Sequence, residues 1–125
     1  MCSSDLCYIQ AGREDHIAPP ESVWKIMDHF NGPKRFVLAG SGHIAGVVNP
    51  PSAQKYQYWV NEGDVSSLDE FVEGAVEHKG SWWPDWLNWL KSQDPSEVTA
   101  TGARKPGKGK LNAIEDAPGR YVKSR

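Results

Sequence analysis

Cysteine is scarce in this sequence: Cys2 and Cys7 are two residues among 125. So few, so close together, cannot form the framework of a disulfide-stapled secreted domain, which makes a reducing cytoplasm the expected setting. No apolar run approaches the length of about twenty residues that a membrane-crossing helix needs. Met1-Cys2-Ser3-Ser4-Asp5 has neither the basic nor the apolar stretch of a secretory leader, and none is expected. No spacing of His, Cys, Asp and Glu fits a metal centre, so no metal is expected. A phosphate-cradling G-x-x-x-x-G-K-[ST] is missing too, and no cofactor is expected. A formal net charge of -2 argues against bulk nucleic-acid binding. The most telling absence is the glycine-bracketed elbow, G-x-S-x-G or G-x-C-x-G, that presents a nucleophile between strand and helix. Neither cysteine has those brackets, and Cys7 falls inside an apolar strand, where it packs.

What is present is unevenly spread. Residues 1–90 carry a net charge of -6 and residues 91–125 a net of +4. That contrast divides the chain into a folded acidic part, 1–90, and a basic, linker-like tail, 91–125, rich in Ser, Thr, Gly, Pro and Lys. The Gly107-Lys108-Gly109-Lys110 stretch belongs to this solvated tail and is not read as a nucleic-acid site. Mean hydropathy is low, at -0.60. Against that stand six tryptophans, five of them after residue 58, which imply a large packing surface or an interface.

In chain order, Leu6–Ala11 is a short buried strand ended by Gly12. Arg13-Glu14-Asp15-His16 follows, and then Pro19-Pro20 breaks the chain and opens a helix over Glu21–Phe30. Val23, Ile26, Met27 and Phe30 form its apolar stripe, and Gly32-Pro33 stops it. Lys34–Ala39 is a second strand. Strand, helix and strand within about thirty residues make a βαβ unit with parallel neighbours. Tyr56–Asn61 is expected to be an extended surface segment. Ser67-Leu68-Asp69-Glu70 is a capping-box pattern. It opens a helix with the stripe Leu68, Phe71, Val72, Ala75 and Val76, ended by Gly80. A second helix, with Pro84 near its start, presents Trp82, Trp83, Trp86, Trp89 and Leu90 as one aromatic face. His29 and His78 fall in the helices as surface residues. The tail is expected to be extended and to dock at Tyr121-Val122.

The candidate chemistry lies after the two strands. Gly40-Ser41-Gly42-His43 places a histidine on a tight glycine loop at the end of the second strand. That is where several hydrolytic folds deliver a general base. The acids of Arg13-Glu14-Asp15-His16 follow the first strand, on the same sheet edge. An acid one βαβ unit before a histidine is the acid-then-His order of a catalytic triad, although spacing alone does not choose between Glu14 and Asp15. His16 fits an orienting or structural neighbour. The pattern is the C-terminal part of an α/β-hydrolase fold: a βαβ unit with parallel strands, then two helices and an extended tail, with no nucleophile in this chain.

Four motifs sharpen this. Arg13-Glu14-Asp15-His16-Ile17 is followed by Gly40 to Pro51 (GSGHIAGVVNPP), then by Gly80-Ser81-Trp82-Trp83-Pro84-Asp85-Trp86, and then by Ala117-Pro118-Gly119-Arg120-Tyr121-Val122. In this order they resemble the C-terminal end of a class I polyhydroxyalkanoate synthase, from Tyr8 to Lys123. The resemblance implies an α/β-hydrolase fold and acyltransferase chemistry. A cysteine thiolate takes an acyl group from (R)-3-hydroxyacyl-CoA as a thioester, and the hydroxyl of another unit attacks that thioester to lengthen a polyester. His43 matches the family's catalytic histidine and Asp15 its catalytic aspartate, while the family's nucleophilic cysteine has no counterpart here. The implied partners are the acyl-CoA substrate, the polyester chain, the polymer granule surface and a second copy of the complete enzyme, in the cytoplasm. Two other readings compete: another α/β-hydrolase, such as a thioesterase or depolymerase, and a non-enzymatic fragment that binds granules or a synthase.

Overall fold

The computed structural model of the chain describes residues 6–99 and 114–124. Cys2, the Gly107–Lys110 stretch and Leu111–Ala113 lie outside the described residues. The backbone divides into one unit ending at Pro95 and a second, Ser96–Arg125.

The first unit is α/β. Its mixed four-stranded sheet runs in the order β1-β2-β3-β4, so β1 and β4 are the edges. β1 (Cys7–Gly12) pairs in parallel with β2 (Lys34–Ala39), from Cys7↔Lys34 to Gly12↔Ala39. The βαβ expectation therefore holds, but its helix is shorter than the stripe implied. α1 covers Pro20–Trp24 and tightens into a 3₁₀ turn at Lys25–Asp28. Trp24 takes the core position, and Ile26 is left exposed. The Tyr56–Asn61 segment contains β3 (Gln57–Val60), antiparallel to β2 through Leu38↔Trp59 and Ala39↔Tyr58.

The largest departure follows. The helix starting after Ser67 is only α2 (Leu68–Glu73). Ser67 Oγ accepts the Glu70 N–H at 3.2 Å, as a capping box requires, but the Glu70 carboxylate accepts from Ser66, one residue earlier than the motif suggests. The chain then turns at Gly74 and forms β4 (Val76–Lys79), antiparallel to β3. The helical stripe that ran on to Val76 was misleading. Gly74 is a poor helix interior residue and β-branched Val76 suits a strand. Val76 is 59% exposed, and His78 lies on β4, stacked against Tyr58, rather than on a helix. α3 (Trp83–Gln93) has Pro84 in its first turn, as expected. In the second unit the only described element is the one-turn α4 (Arg120–Lys123).

Alternation along β1 and β2 sends side chains to two faces. Ile9, Ala11, Phe36 and Leu38 join Trp24 and Phe71 to form the core beneath α1 and α2. Trp24, Phe36 and Phe71 meet edge-on or tilted, with ring centroids 4.8–5.7 Å apart. Such pairs add to simple burial because ring edges meet ring faces. On the opposite face Tyr8 receives α3: its ring stacks with Trp82 at 5.9 Å and meets Trp89 edge-on at 5.4 Å. Asp85 anchors the same helix. Arg35 donates to it from Nε at 2.8 Å and from Nη2 at 2.6 Å, and the Tyr8 hydroxyl donates at 2.8 Å. Burial pushes the Asp85 carboxyl up, and the Arg35 and Tyr8 hydrogen bonds more than reverse this, so Asp85 stays below the usual carboxylate range. The aromatic face of α3 is thus split. Trp82, Trp83 and Trp89 are half-buried, and Trp86, Leu87 and Leu90 are exposed.

Candidate active site

Parallel pairing puts the chain following β1 beside the chain following β2. The two loops bond to each other directly: the Arg13 N–H donates to Ala39 O at 2.8 Å and the Glu14 N–H to Ser41 O at 3.3 Å. Ser41 adopts a left-handed backbone with φ 79, a strained conformation for a non-glycine residue, worth on the order of 1–3 kcal/mol where surrounding structure enforces it. The loop then brings His43 to Asp15, in the chain that follows β1. Gly46 closes it. A Cβ there would lie 2.7 Å from Gly42 O, in a turn where the Gly46 N–H already donates to that oxygen at 2.8 Å. Asn49, buried, ends the loop by donating to Lys55 O at 2.9 Å.

Asp15 and His43 meet in this junction. His43 Nδ1 lies 2.8 Å from Asp15 Oδ2. The other oxygen, Oδ1, accepts the backbone N–H groups of Ile17 and Ala18, each at 2.9 Å. The carboxylate is therefore fixed by three contacts and is 7% exposed. The Ala18 N–H, the His43 ring and the Ile17 N–H hold the Asp15 carboxyl below its ordinary range, against burial, which pushes it up. The side chain of His43 is 48% exposed. With Nδ1 engaged, Nε2 is the ring nitrogen that remains available, and it has no partner among the described residues. An imidazole held at Nδ1 by a carboxylate, with Nε2 open, can accept a proton there, and the carboxylate stabilises the cation that forms.

The geometry resolves what spacing could not. Asp15 makes the contact, while Glu14 is exposed, as is His16. Cys7 is half-buried at the start of β1. The length of the strand, about 16 Å at strand rise, separates it from the loops that carry Asp15 and His43. A cleft of about 490 Å³ is lined by Lys34, Glu62, Asp64 and Phe71, at the opposite end of the strands, so concavity alone would point away from the pair. No group of three or more metal-ligating side chains occurs among the described residues.

A depressed carboxyl pKa couples Asp15 to stability. Its folded-state pKa lies below the unfolded value of about 3.9, so the stability it contributes is fully present above that value. That stability is lost as pH falls through the lower, folded-state pKa. The difference in unfolding free energy between the chain and Asp15→Asn is thus expected to shrink steadily as pH falls below about 4. Urea titrations at several pH values measure it; a difference that does not depend on pH would show that the charge of Asp15 contributes nothing.

Known proteins place this pair in a context. No protein-family model matches the chain. Over 118 residues, 94% of its length, it is 50% identical to the poly(3-hydroxyalkanoate) polymerase subunit PhaC of Rhizobium etli. This chain is homologous to a segment of poly(3-hydroxyalkanoate) polymerase. The same 94% is 49% identical to the PhaC subunit of Rhizobium meliloti and 44% identical to that of Cupriavidus necator. The chain spans only about a fifth of these relatives: 18%, 19% and 20% of their lengths, respectively.

The sequence did not reveal the partners that hold the histidine loop. Trp82 Nε1–H donates to Gly46 O at 2.9 Å, and Trp83 Nε1–H donates to Val47 O at 3.0 Å, both in the loop that carries His43. These contacts span 36 positions, and nothing local in either stretch signals them.

Proposed function

We propose that this chain is the acid-and-histidine portion of a poly(3-hydroxyalkanoate) polymerase, lying in the C-terminal part of an α/β-hydrolase fold. The observation that carries the reading is the 2.8 Å contact between Asp15 and His43, after the ends of adjacent parallel strands, in a chain 50% identical to a polymerase. His43 Nε2 is the general base. It takes the proton of a cysteine thiol supplied by the rest of the polymerase, and the thiolate attacks the thioester carbonyl of (R)-3-hydroxyacyl-CoA. The acyl group moves to the cysteine and CoA leaves as a thiol after taking up that proton. In elongation the base takes the proton of a 3-hydroxyl group, whose oxygen attacks the acyl-cysteine thioester; the C–S bond breaks, the cysteine leaves as a thiolate that takes up that proton, and the polyester is longer by one unit. Asp15 keeps the imidazole oriented and stabilises its charged form.

This segment supplies no nucleophile of its own, so by itself it is inactive. The openness of the site supports the same reading. His43 is half-exposed, and Ile17, Ile44 and Val48 around it are 62–75% exposed; in the complete polymerase this apolar rim is covered by the part that carries the cysteine. The cytoplasm, a granule surface and a second enzyme copy are the setting that the family resemblance implies. The non-enzymatic, granule-binding alternative finds a smaller apolar surface than the sequence promised, because three of the five residues of the aromatic face are half-buried, Trp82 and Trp89 against Tyr8 and Trp83 against the histidine loop.

The test is a graft. The matching 118 residues of the Rhizobium etli polymerase are replaced by those of this chain, and CoA release and polymer formation from (R)-3-hydroxybutyryl-CoA are followed. We expect activity within about tenfold of the parent, a loss of no more than about 1.4 kcal/mol, and none from the chain alone. A folded, soluble graft without activity would refute the reading, and CoA release by the chain alone would refute the missing nucleophile.

A further inference from the structure

We infer that Trp82 and Trp83 are positioning residues for His43, acting through the backbone carbonyls of Gly46 and Val47. The histidine loop has little packing of its own. His43, Ile44, Val47 and Val48 are all exposed, and its internal bonds are those of turns: Gly46 N–H to Gly42 O, and Val47 and Val48 N–H to Ile44 O. Loops held only by such bonds open at low cost. Something outside the loop must hold it if Nδ1 of His43 is to stay on Asp15.

The indoles do this. An indole has a single N–H, a donor only. Two successive tryptophans spend theirs on two successive carbonyls of one loop, at 2.9 and 3.0 Å. Packing alone would not need either N–H. The start of the helix that carries them is itself fixed. Trp82 stacks on Tyr8, the backbone N–H of Trp83 donates to Ser81 Oγ at 3.1 Å, and two residues further on Asp85 is gripped by Arg35 and Tyr8. A continuous path therefore runs from the rigid β1–β2 pair, through Asp85 and the first turn of α3, to the indoles, the loop and the imidazole. Its effect is to limit the orientations of His43, which matters because misplacement of a base by a fraction of an ångström lowers its efficiency.

The kinetic part of this inference rests on the function proposed above; the geometric part does not, and the experiment separates them. Trp82→Phe/Trp83→Phe keeps two aromatic rings and removes both donors. In the chain itself, the tautomer of His43 is read from its ring ¹⁵N chemical shifts on their alkaline plateau, where they no longer change with pH. Retention of the Nδ1–H form is expected in the parent. A shift of at least about threefold in the tautomer ratio towards Nε2–H is expected in the double variant, with an unchanged circular dichroism spectrum. In the graft, the same double variant is expected to lower kcat about tenfold with KM within about twofold. An unchanged tautomer ratio would overturn the positioning role whether or not the graft is active. An inactive parent graft with a shifted ratio would overturn the proposed function and leave the positioning role standing. Should the double variant not fold, Trp83→Phe alone is read in the same way, with a shift of about twofold expected and none overturning the inference.

Discussion

His43→Ala in the grafted polymerase is expected to lower turnover about a thousandfold, within the range of about 10² to 10⁴ that a positioned general base supplies. The two half-reactions should not suffer equally. A thiol has a pKa near 8.5, so some thiolate is present without help, and a base adds little to acylation. The hydroxyl that attacks the acyl-cysteine is a far weaker acid and, in the proposed mechanism, depends on Nε2 of His43 for removal of its proton. Elongation should therefore slow at least as much as acylation. Rapid-quench measurement of CoA release against polymer growth distinguishes the two. Normal polymer growth following normal acylation would remove His43 from the mechanism.

Phe71→Ala is expected to have the largest effect on stability, about 3–5 kcal/mol. Phe71 is 1% exposed and meets both Trp24 and Phe36. Truncation loses the transfer of a phenyl ring from water and leaves a cavity between two large rings that cannot collapse onto it. Domains of this size have about 5–15 kcal/mol in total, so the variant would keep little margin. Phe71→Leu, which retains most of the volume, should cost about 1.5 kcal/mol. Urea unfolding followed by circular dichroism gives both figures. A loss under about 1 kcal/mol for the alanine variant would mean that α2 is not docked as described.

The elements that were legible in the sequence are those whose signal is local. The apolar runs of β1 and β2, with Gly12 and Gly40 after them, mark the strands, and their separation marks the crossover. The placing of His43 and an acid after adjacent strand ends then follows from chirality and connectivity alone. Choosing Asp15 over Glu14 needed the family resemblance, since both are acids on one short loop; only the turn that lets Asp15 accept the Ile17 and Ala18 N–H groups separates them. The stretch from Ala75 to Lys79 was misread because its apolar positions continue a helical stripe. Gly74 and pairing with β3 outweigh that stripe, and cross-strand pairing is invisible to a local window. The aromatic face of α3 was seen, but its division was not. Tyr8 and Asp85, 77 positions apart, decide which tryptophans turn inward.

Among the described residues, the order β1-β2-β3-β4 leaves one side of β1 without a strand beside it. Its six residues carry no charge and no proline, the devices by which chains usually protect an open flank. A strand of this kind accepts any extended backbone that reaches it, and copies of the same segment are always at hand. In isolation, then, the segment is expected to pair with copies of itself along this flank, more readily as concentration rises.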